Sequence, residues 1–119
     1  PPARDLGYEA MAEVLAGKQR VRAHVHSATD VMTLLRLKDE FGFDLTLHHS
    51  TEAYKVAPEI AKRGVNAVVM PLGPRIGISE DVLEGPAVLW KAGVRIAMHT
   101  DAPVLQQKWL RLCAAIAMR

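Results

Sequence analysis

Histidines and an aspartate close three strand-like runs of this chain. The runs are Val21–His24, Leu45–His49 and Val94–Asp101. In a parallel sheet all strands point the same way, so residues at their carboxyl ends meet at one rim. Two imidazoles and a carboxylate gathered at that rim form a ligand set for a divalent metal such as zinc. The three runs therefore predict a metal site built from segments that are distant in the chain.

Four histidines lie in or just after the first two runs. His24 and His26 occur as His-Val-His, and alternation places them on the same side of an extended chain. His48 and His49 are consecutive and face opposite sides, so at most one of them easily joins the cluster, and the pattern alone leaves open which. A single histidine at a strand end more often hydrogen-bonds to loop backbone. Their joint occurrence with an acid at three strand ends favours a metal or catalytic role.

The last run ends in His99 and Asp101, which alternate in the same manner. Asp101 is followed by Ala-Pro, which disfavours a helix directly after the acid. A hydrolytic metal keeps one coordination position open for water and lowers the pKa of that water towards about 7. A nearby carboxylate can accept the proton of the water and later deliver it to a leaving amine. We predict that Asp101 has this catalytic role.

The composition is typical of one soluble globular domain. Of the 119 residues 50% are hydrophobic and 24% charged, and the formal net charge is +2. Basic residues are dispersed without interleaved aromatic residues, so we expect no nucleic-acid partner. No apolar run could span a membrane and no signal peptide opens the chain, so we expect no membrane partner and favour a cytoplasmic location. The single cysteine, Cys113, lies in an apolar helical run and is expected to be buried.

Helix-like and strand-like segments alternate along the chain. Ser27-Ala-Thr-Asp30 is a capping pattern that opens a helix, and Gly42 ends it. The predicted strands are 21–25, 45–48, 65–70 and 94–98, and the predicted helices are 7–16, 28–41, 58–63, 86–92 and 105 to the last residue. Residues 51–56 are predicted to form one turn, residues 71–77 a loop, and Ser79–Leu83 a further capping pattern.

Strand–helix alternation with short connections indicates parallel βαβ units. Two architectures fit: a self-contained four-stranded doubly wound sheet, and half of a TIM-type (β/α)8 barrel with about four parallel strands. A doubly wound sheet would concentrate its ligand residues at one switch point. Here the candidate residues come from the first, second and fourth strands, which favours the half barrel. A flavodoxin-like binding domain is disfavoured because no Gly-rich phosphate loop follows the first strand.

Three stretches of the chain resemble the amidohydrolase superfamily. They are Val21-Arg-Ala-His-Val-His-Ser-Ala-Thr-Asp-Val, Leu47-His-His-Ser-Thr-Glu-Ala-Tyr-Lys-Val and Ala97-Met-His-Thr-Asp-Ala-Pro-Val. The likeness is greatest to the imidazolonepropionase-related branch of these metal-dependent hydrolases. It implies that the chain covers strands five to eight of the barrel. Residues 1–119 would then be a single partial domain, the C-terminal half of the barrel, cut at both ends.

The resemblance implies roles for individual residues. His24 stands where the family has the metal-binding histidine of strand five, and His49 where it has that of strand six. Asp101 matches the aspartate after strand eight, which ligates the metal or acts as the general base. The likeness thus implies a divalent metal, zinc above all, bound by His24, His49 and Asp101. We expect Tyr54 and Lys55 to lie on a loop and helix surface rather than at the substrate.

Other features of the family are absent from this sequence. The His-x-His pair of the first strand, the bridging lysine or glutamate of the fourth and a small β-sandwich domain are missing. The resemblance implies hydrolysis of amide or cyclic amide C–N bonds in a small-molecule substrate, but we expect weak metal binding and little turnover from this chain in isolation. The alternative is a non-catalytic α/β half-barrel module that self-associates through open sheet edges, and a homo-oligomer is expected.

Overall fold

Four parallel strands, each followed by a helix, make up the fold of this chain. The computed structural model describes residues 3–72 and 80–118. The strands form one sheet in the order β1-β2-β3-β4, and every neighbouring pair is parallel. The strands are β1 (Val21–Val25), β2 (Leu45–His49), β3 (Asn66–Val69) and β4 (Ile96–Met98). The α-helices are α1 (Leu6–Leu15), α2 (Ala28–Phe41), α3 (Ala57–Lys62), α4 (Glu80–Lys91) and α5 (Leu110–Ala117), with single 3-10 turns at Ala53–Val56 and Gln107–Trp109. The predicted α/β class with four parallel strands is confirmed.

Helix α2 has the bounds that its capping residues predict. The Ser27 side chain accepts a hydrogen bond from the backbone N–H of Asp30, which satisfies one of the free donors of the first turn. Gly42 ends the helix in the left-handed conformation, with φ of 73°, where a side chain would be strained. Val31 and Leu35 are buried against the sheet. This helix therefore fixes the loop that follows β1, where His26 lies.

One face of the sheet packs on the helices, and the other carries the polar residues. Leu45 and Leu47 are fully buried on the helix side. Side chains alternate between the faces, and residues paired in register point the same way. The register pairs His24 with His48, so both belong to the face opposite the hydrophobic core. His24 is exposed and His48 half-buried.

The fourth helix is longer than its residues predict. Local sequence places its start near Pro86, whereas α4 begins at Glu80 and contains Pro86 in its interior. Burial explains the difference, because Gly85 and Pro86 are both buried and a Cβ added at Gly85 would lie 3.2 Å from Cδ1 of Tyr54. Close packing of the helix on Tyr54 outweighs the weak helix propensity of Gly-Pro. Ser79 and most of the predicted 71–77 loop lie outside the described residues.

The C-terminal segment also differs from its prediction in detail. A continuous helix from residue 105 is predicted, whereas a 3-10 turn precedes α5 and this helix begins at Leu110. Cys113 is fully buried, as predicted. Among the described residues, no helix has both the length and the apolar character to cross a membrane.

Helix α1 contributes nothing to the core. Asp5 caps it by accepting hydrogen bonds from the N–H groups of Gly7 and Tyr8, but the helix has no buried residue. Its large side chains, Leu6, Tyr8, Met11 and Leu15, are between 55% and 78% exposed. Such a surface is the expected contact face for a further element.

Candidate metal centre

The carboxyl ends of β1 and β2 bring three histidines together. His24 and His26 have ring centroids 4.8 Å apart, so the predicted same-side placement of this pair holds. The ring of His49 lies 4.3 Å from that of His24 and 5.1 Å from that of His26. One ring nitrogen from each of the three histidines can be chosen so that all lie within 4.8 Å of one another. This arrangement is a candidate metal centre.

His49 reaches the cluster through its backbone conformation. The register pairs it with Val25, whose side chain lies in the core. At His49 the strand ends, and φ is 67° there and 55° at Ser50. Non-glycine residues in this left-handed region are strained, and such residues cluster at functional sites. The turn places the His49 ring beside His24, which simple alternation along a strand does not predict.

Asp101 lies beside the three histidines, near His49, and is not part of the group whose nitrogens lie within 4.8 Å of one another. It follows β4, with φ of 51°, and its Oδ2 atom lies 4.0 Å from Nδ1 of His49. This distance is too long for a hydrogen bond. The structure thus brings His24, His49 and Asp101, the three predicted ligands, to one rim. It adds His26, which the resemblance left without an assigned role.

Hydrogen bonds fix the loop after β2 against the end of β1. The N–H of Ser50 donates to the carbonyl of Val25 at 2.9 Å, and the N–H of Glu52 donates to the carbonyl of His26 at 2.8 Å. The Thr51 hydroxyl lies 2.8 Å from Nδ1 of His26. Because both sides of the cluster are held by these bonds, the histidines are positioned by the backbone before any ligand binds.

Glu52 is a structural residue that sequence reasoning missed. Its carboxylate accepts a hydrogen bond from the N–H of Ala28, at the start of α2, at 3.0 Å. The other oxygen accepts one from Nζ of Lys55 at 2.8 Å. The hydrogen bond from Lys55, with the one from Ala28, lowers the pKa of Glu52. Lys55 is exposed and Tyr54 packs against the core. The capping pattern at Ser27 did not predict the hydrogen bond between the N–H of Ala28 and the carboxylate of Glu52.

The two remaining histidines extend the cluster. His99 lies after β4, with its ring 4.8 Å from that of His49 and 5.9 Å from that of His48. All five histidines of the chain are therefore connected through ring contacts. His48 and His49 are predicted to face opposite sides of the strand. The ring of His99 nevertheless contacts the rings of both.

Burial keeps several imidazoles uncharged. Desolvation, with contributions from His24 and His99, lowers the pKa of His49 to about 4. Desolvation also lowers the pKa of His48 and of His99, against the opposing charge of Asp101. At neutral pH these rings are neutral, and neutral imidazole is the form that binds metals.

The residues fit a divalent metal. Each zinc–nitrogen bond is about 2.0–2.1 Å long, so two nitrogens on a tetrahedral ion are about 3.3–3.4 Å apart. The imidazole nitrogens lie within 4.8 Å of one another, so they must close by up to about 1.4 Å on an ion, and His24 is exposed. Nδ1 of His49 is buried and has no hydrogen-bond partner among the described residues. A buried polar atom without a partner is costly, and a bound ion would satisfy it.

Comparison with known proteins identifies a relative. The crystal structure of an amidohydrolase from Thermotoga maritima MSB8 is similar to this chain, with 36% sequence identity and a TM-score of 0.83. The match covers 100% of this chain and 32% of that protein, so this chain spans about a third of the length of its relative. No protein-family model and no curated protein matches the chain.

Proposed function

Because this chain matches part of an amidohydrolase in fold and in sequence, it belongs to the amidohydrolase superfamily, and we propose that it carries metal ligands of a hydrolase that cleaves carbon–nitrogen bonds. The observation that carries the proposal is the meeting of His24, His49 and Asp101 at one rim of the sheet. In parallel α/β barrels this rim is where catalytic residues are found. His24, His49 and Asp101 hold the metal in this proposal, with His26 close enough to join them.

The donor set favours zinc. It consists of imidazole nitrogens and one carboxylate, and imidazole suits zinc and its neighbours in the first transition series. Calcium and magnesium prefer sites made of oxygen atoms alone. When bound, such an ion supplies Lewis acidity and makes hydroxide available near neutral pH.

In this proposal Asp101 transfers the proton. Its carboxylate is half exposed, at 46%, so one oxygen can face the substrate while the other faces His49. The carboxylate accepts a proton from the attacking water and delivers it to the leaving nitrogen. A leaving amine or amide needs that proton, which is why an amide or cyclic amide in a small molecule is the proposed substrate class.

Metal content tests the proposal. The 119-residue chain is freed of metal with a chelator and dialysed against zinc, and bound zinc is counted by mass spectrometry. His24→Ala and His49→Ala should each weaken zinc binding at least tenfold, as should Asp101→Asn. The matched control is Asp44→Asn, an exposed aspartate that precedes β2 and pairs with Arg20 at 2.9 Å. Unchanged zinc affinity in the His24→Ala and His49→Ala variants would refute the proposed ligands.

A second proposal is self-association of this chain through its sheet edges. Strands β1 and β4 are the outer strands of the sheet among the described residues, and open edges promote pairing with another chain. Two copies supply eight parallel strands, the number that closes a (β/α)8 barrel. Exposed Trp90, at 66%, and Met118, at 82%, border an apolar groove beside β4. The proposed partner is therefore a second copy of this chain.

Light scattering after size exclusion tests this association. The N–H of Val21 donates to the carbonyl of Asp44, which directly precedes β2, so by alternation the N–H of Arg22 points to the open edge of β1. Arg22→Pro should therefore abolish the dimer while circular dichroism shows an unchanged fold. A monomeric wild-type chain would refute the proposal. The open edge of β1 would then be available to pair with another part of a longer protein.

A further inference from the structure

We propose that His48 and His99 form a second site for a divalent transition metal, distinct from the site formed by His24, His49 and Asp101. The two sites lie at the same rim, but they use different histidines. The second site does not depend on the first, since its ligands are the pair that the proposed hydrolytic centre leaves unused.

The sheet places these two side chains on one face. His48 pairs with Val68 of β3, and Val68 pairs with Ala97 of β4. His99 lies two residues beyond Ala97, so alternation returns it to the same side. The N–H of His99 donates to the carbonyl of Val69 at 3.2 Å, which continues the pairing of β4 with β3. The two imidazoles therefore meet above the end of β3.

Both rings present an unused nitrogen. The Nε2 atoms of His48 and of His99 are buried, and neither has a hydrogen-bond partner among the described residues. A buried polar atom that stays unsatisfied is costly. Two of them on rings in contact suggest a shared ligand that accepts lone pairs, because neutral imidazole has one free pair to give.

The separation of the rings suits one ion. Their centroids lie 5.9 Å apart, and their planes are inclined by 75°. A nitrogen bound at about 2.0–2.1 Å places its ring centroid about 3 Å from the ion, so two imidazoles on one ion have centroids roughly 5–6 Å apart.

Charged groups near His48 and His99 have opposing effects on cation binding. The negative charge of Asp101 acts on both His48 and His99 and favours a cation there. Arg22 acts on His48 in the opposite sense. Arg22 is exposed, so its charge opposes a cation only weakly.

The donors define the class of ion. Two imidazoles favour zinc, cobalt, nickel or copper over magnesium and calcium. With only two ring nitrogens as protein ligands, we expect weaker binding here than at the first site.

Metal titration of the full 119-residue chain tests the inference. Chelator-treated protein is titrated with Zn²⁺ by calorimetry, and the wild-type chain should bind two ions. His48→Gln and His99→Gln should each retain only the tighter ion. His49→Ala is the converse variant, which should lose the tighter ion and retain the weaker one. Circular dichroism checks that each variant is folded.

The outcomes separate the two proposals. A wild-type chain that binds one ion, or His48→Gln and His99→Gln variants that still bind two, would overturn the second site and leave the first intact. Loss of binding in these variants with His24→Ala and His49→Ala unaffected would overturn the first site alone. If the histidine variants fail to fold, the Arg22→Gln variant provides the test. Loss of the guanidinium charge should strengthen binding of the weaker ion about two- to five-fold. Unchanged affinity for this ion would count against the second site.

Discussion

His24 and His49 come from neighbouring strands, and their ring centroids lie 4.3 Å apart. The contact depends on the left-handed backbone at the end of β2, because the register alone pairs His49 with a core residue. His49 is 7% exposed, whereas His24 is exposed. The pair thus combines a buried imidazole with one that is exposed to solvent. This combination allows an ion to enter from solvent and to be held by a rigid ligand.

The buried state of His49 predicts how stability depends on pH. In the folded chain its pKa is lowered to about 4 from 6.5, so between these values the unfolded chain binds a proton that the folded chain does not. The free energy of unfolding of metal-free protein should therefore fall as pH falls from 7 to 4, by on the order of 2–3 kcal/mol. His48 and His99 act in the same direction, since burial lowers the pKa of each. Urea unfolding after chelator treatment measures this dependence.

The variant His49→Gln provides the comparison for that dependence. It removes the titrating ring, so its free energy of unfolding should change less between pH 7 and pH 4 than that of the wild-type chain. Equal pH dependence in the two proteins would show that His49 is not the buried neutral group described above.

Glu52 should link the two rim loops. Glu52→Ala removes the hydrogen bond to the N–H of Ala28 and the negative charge at the start of α2. We expect the free energy of unfolding to fall by about 1 kcal/mol and zinc affinity to weaken several-fold, because the loops that carry His26 and Ser50 loosen. Glu40→Ala, an exposed acid at the other end of α2, is the control. Zinc affinity at the wild-type level in Glu52→Ala would contradict the positioning role.

The core under the sheet should govern stability. Leu35 is fully buried, so Leu35→Ala leaves a cavity between α2 and the sheet and should cost about 2–5 kcal/mol. Met32→Ala on the same helix removes a side chain that is 38% exposed and should cost under about 1 kcal/mol. Chemical denaturation of both variants measures the difference. Similar losses in the two would mean that α2 does not pack as described.

The order of elements could be predicted from the sequence because periodicity and capping are local signals. Ser27 and Gly42 mark α2 correctly, and the strand ends that carry the histidines lie where the runs predict. The start of α4 at Glu80 follows the capping pattern predicted at Ser79–Leu83. Its continuation through Gly85 and Pro86 could not be predicted, since it depends on packing against Tyr54, which is distant in the chain.

The site could be predicted from the sequence about as well as the order of elements. Parallel strands alone bring His24, His49 and Asp101 to one rim, and the resemblance to the amidohydrolases selects His49 over His48. Alternation along β4 accounts for the contact of His99 with His48. The contact of His99 with His49 could not be predicted, because it follows from the left-handed turn at His49. Nothing in a one-residue spacing predicts such a turn.

The position of a bound ion tests the proposed centre most directly. Crystals of the chain grown with zinc, measured at the zinc absorption edge, locate the ion by its anomalous scattering. We predict a peak within about 2.0–2.2 Å of a ring nitrogen of His24, a ring nitrogen of His49 and a carboxylate oxygen of Asp101. A zinc-saturated crystal with no peak between these three side chains would contradict the account.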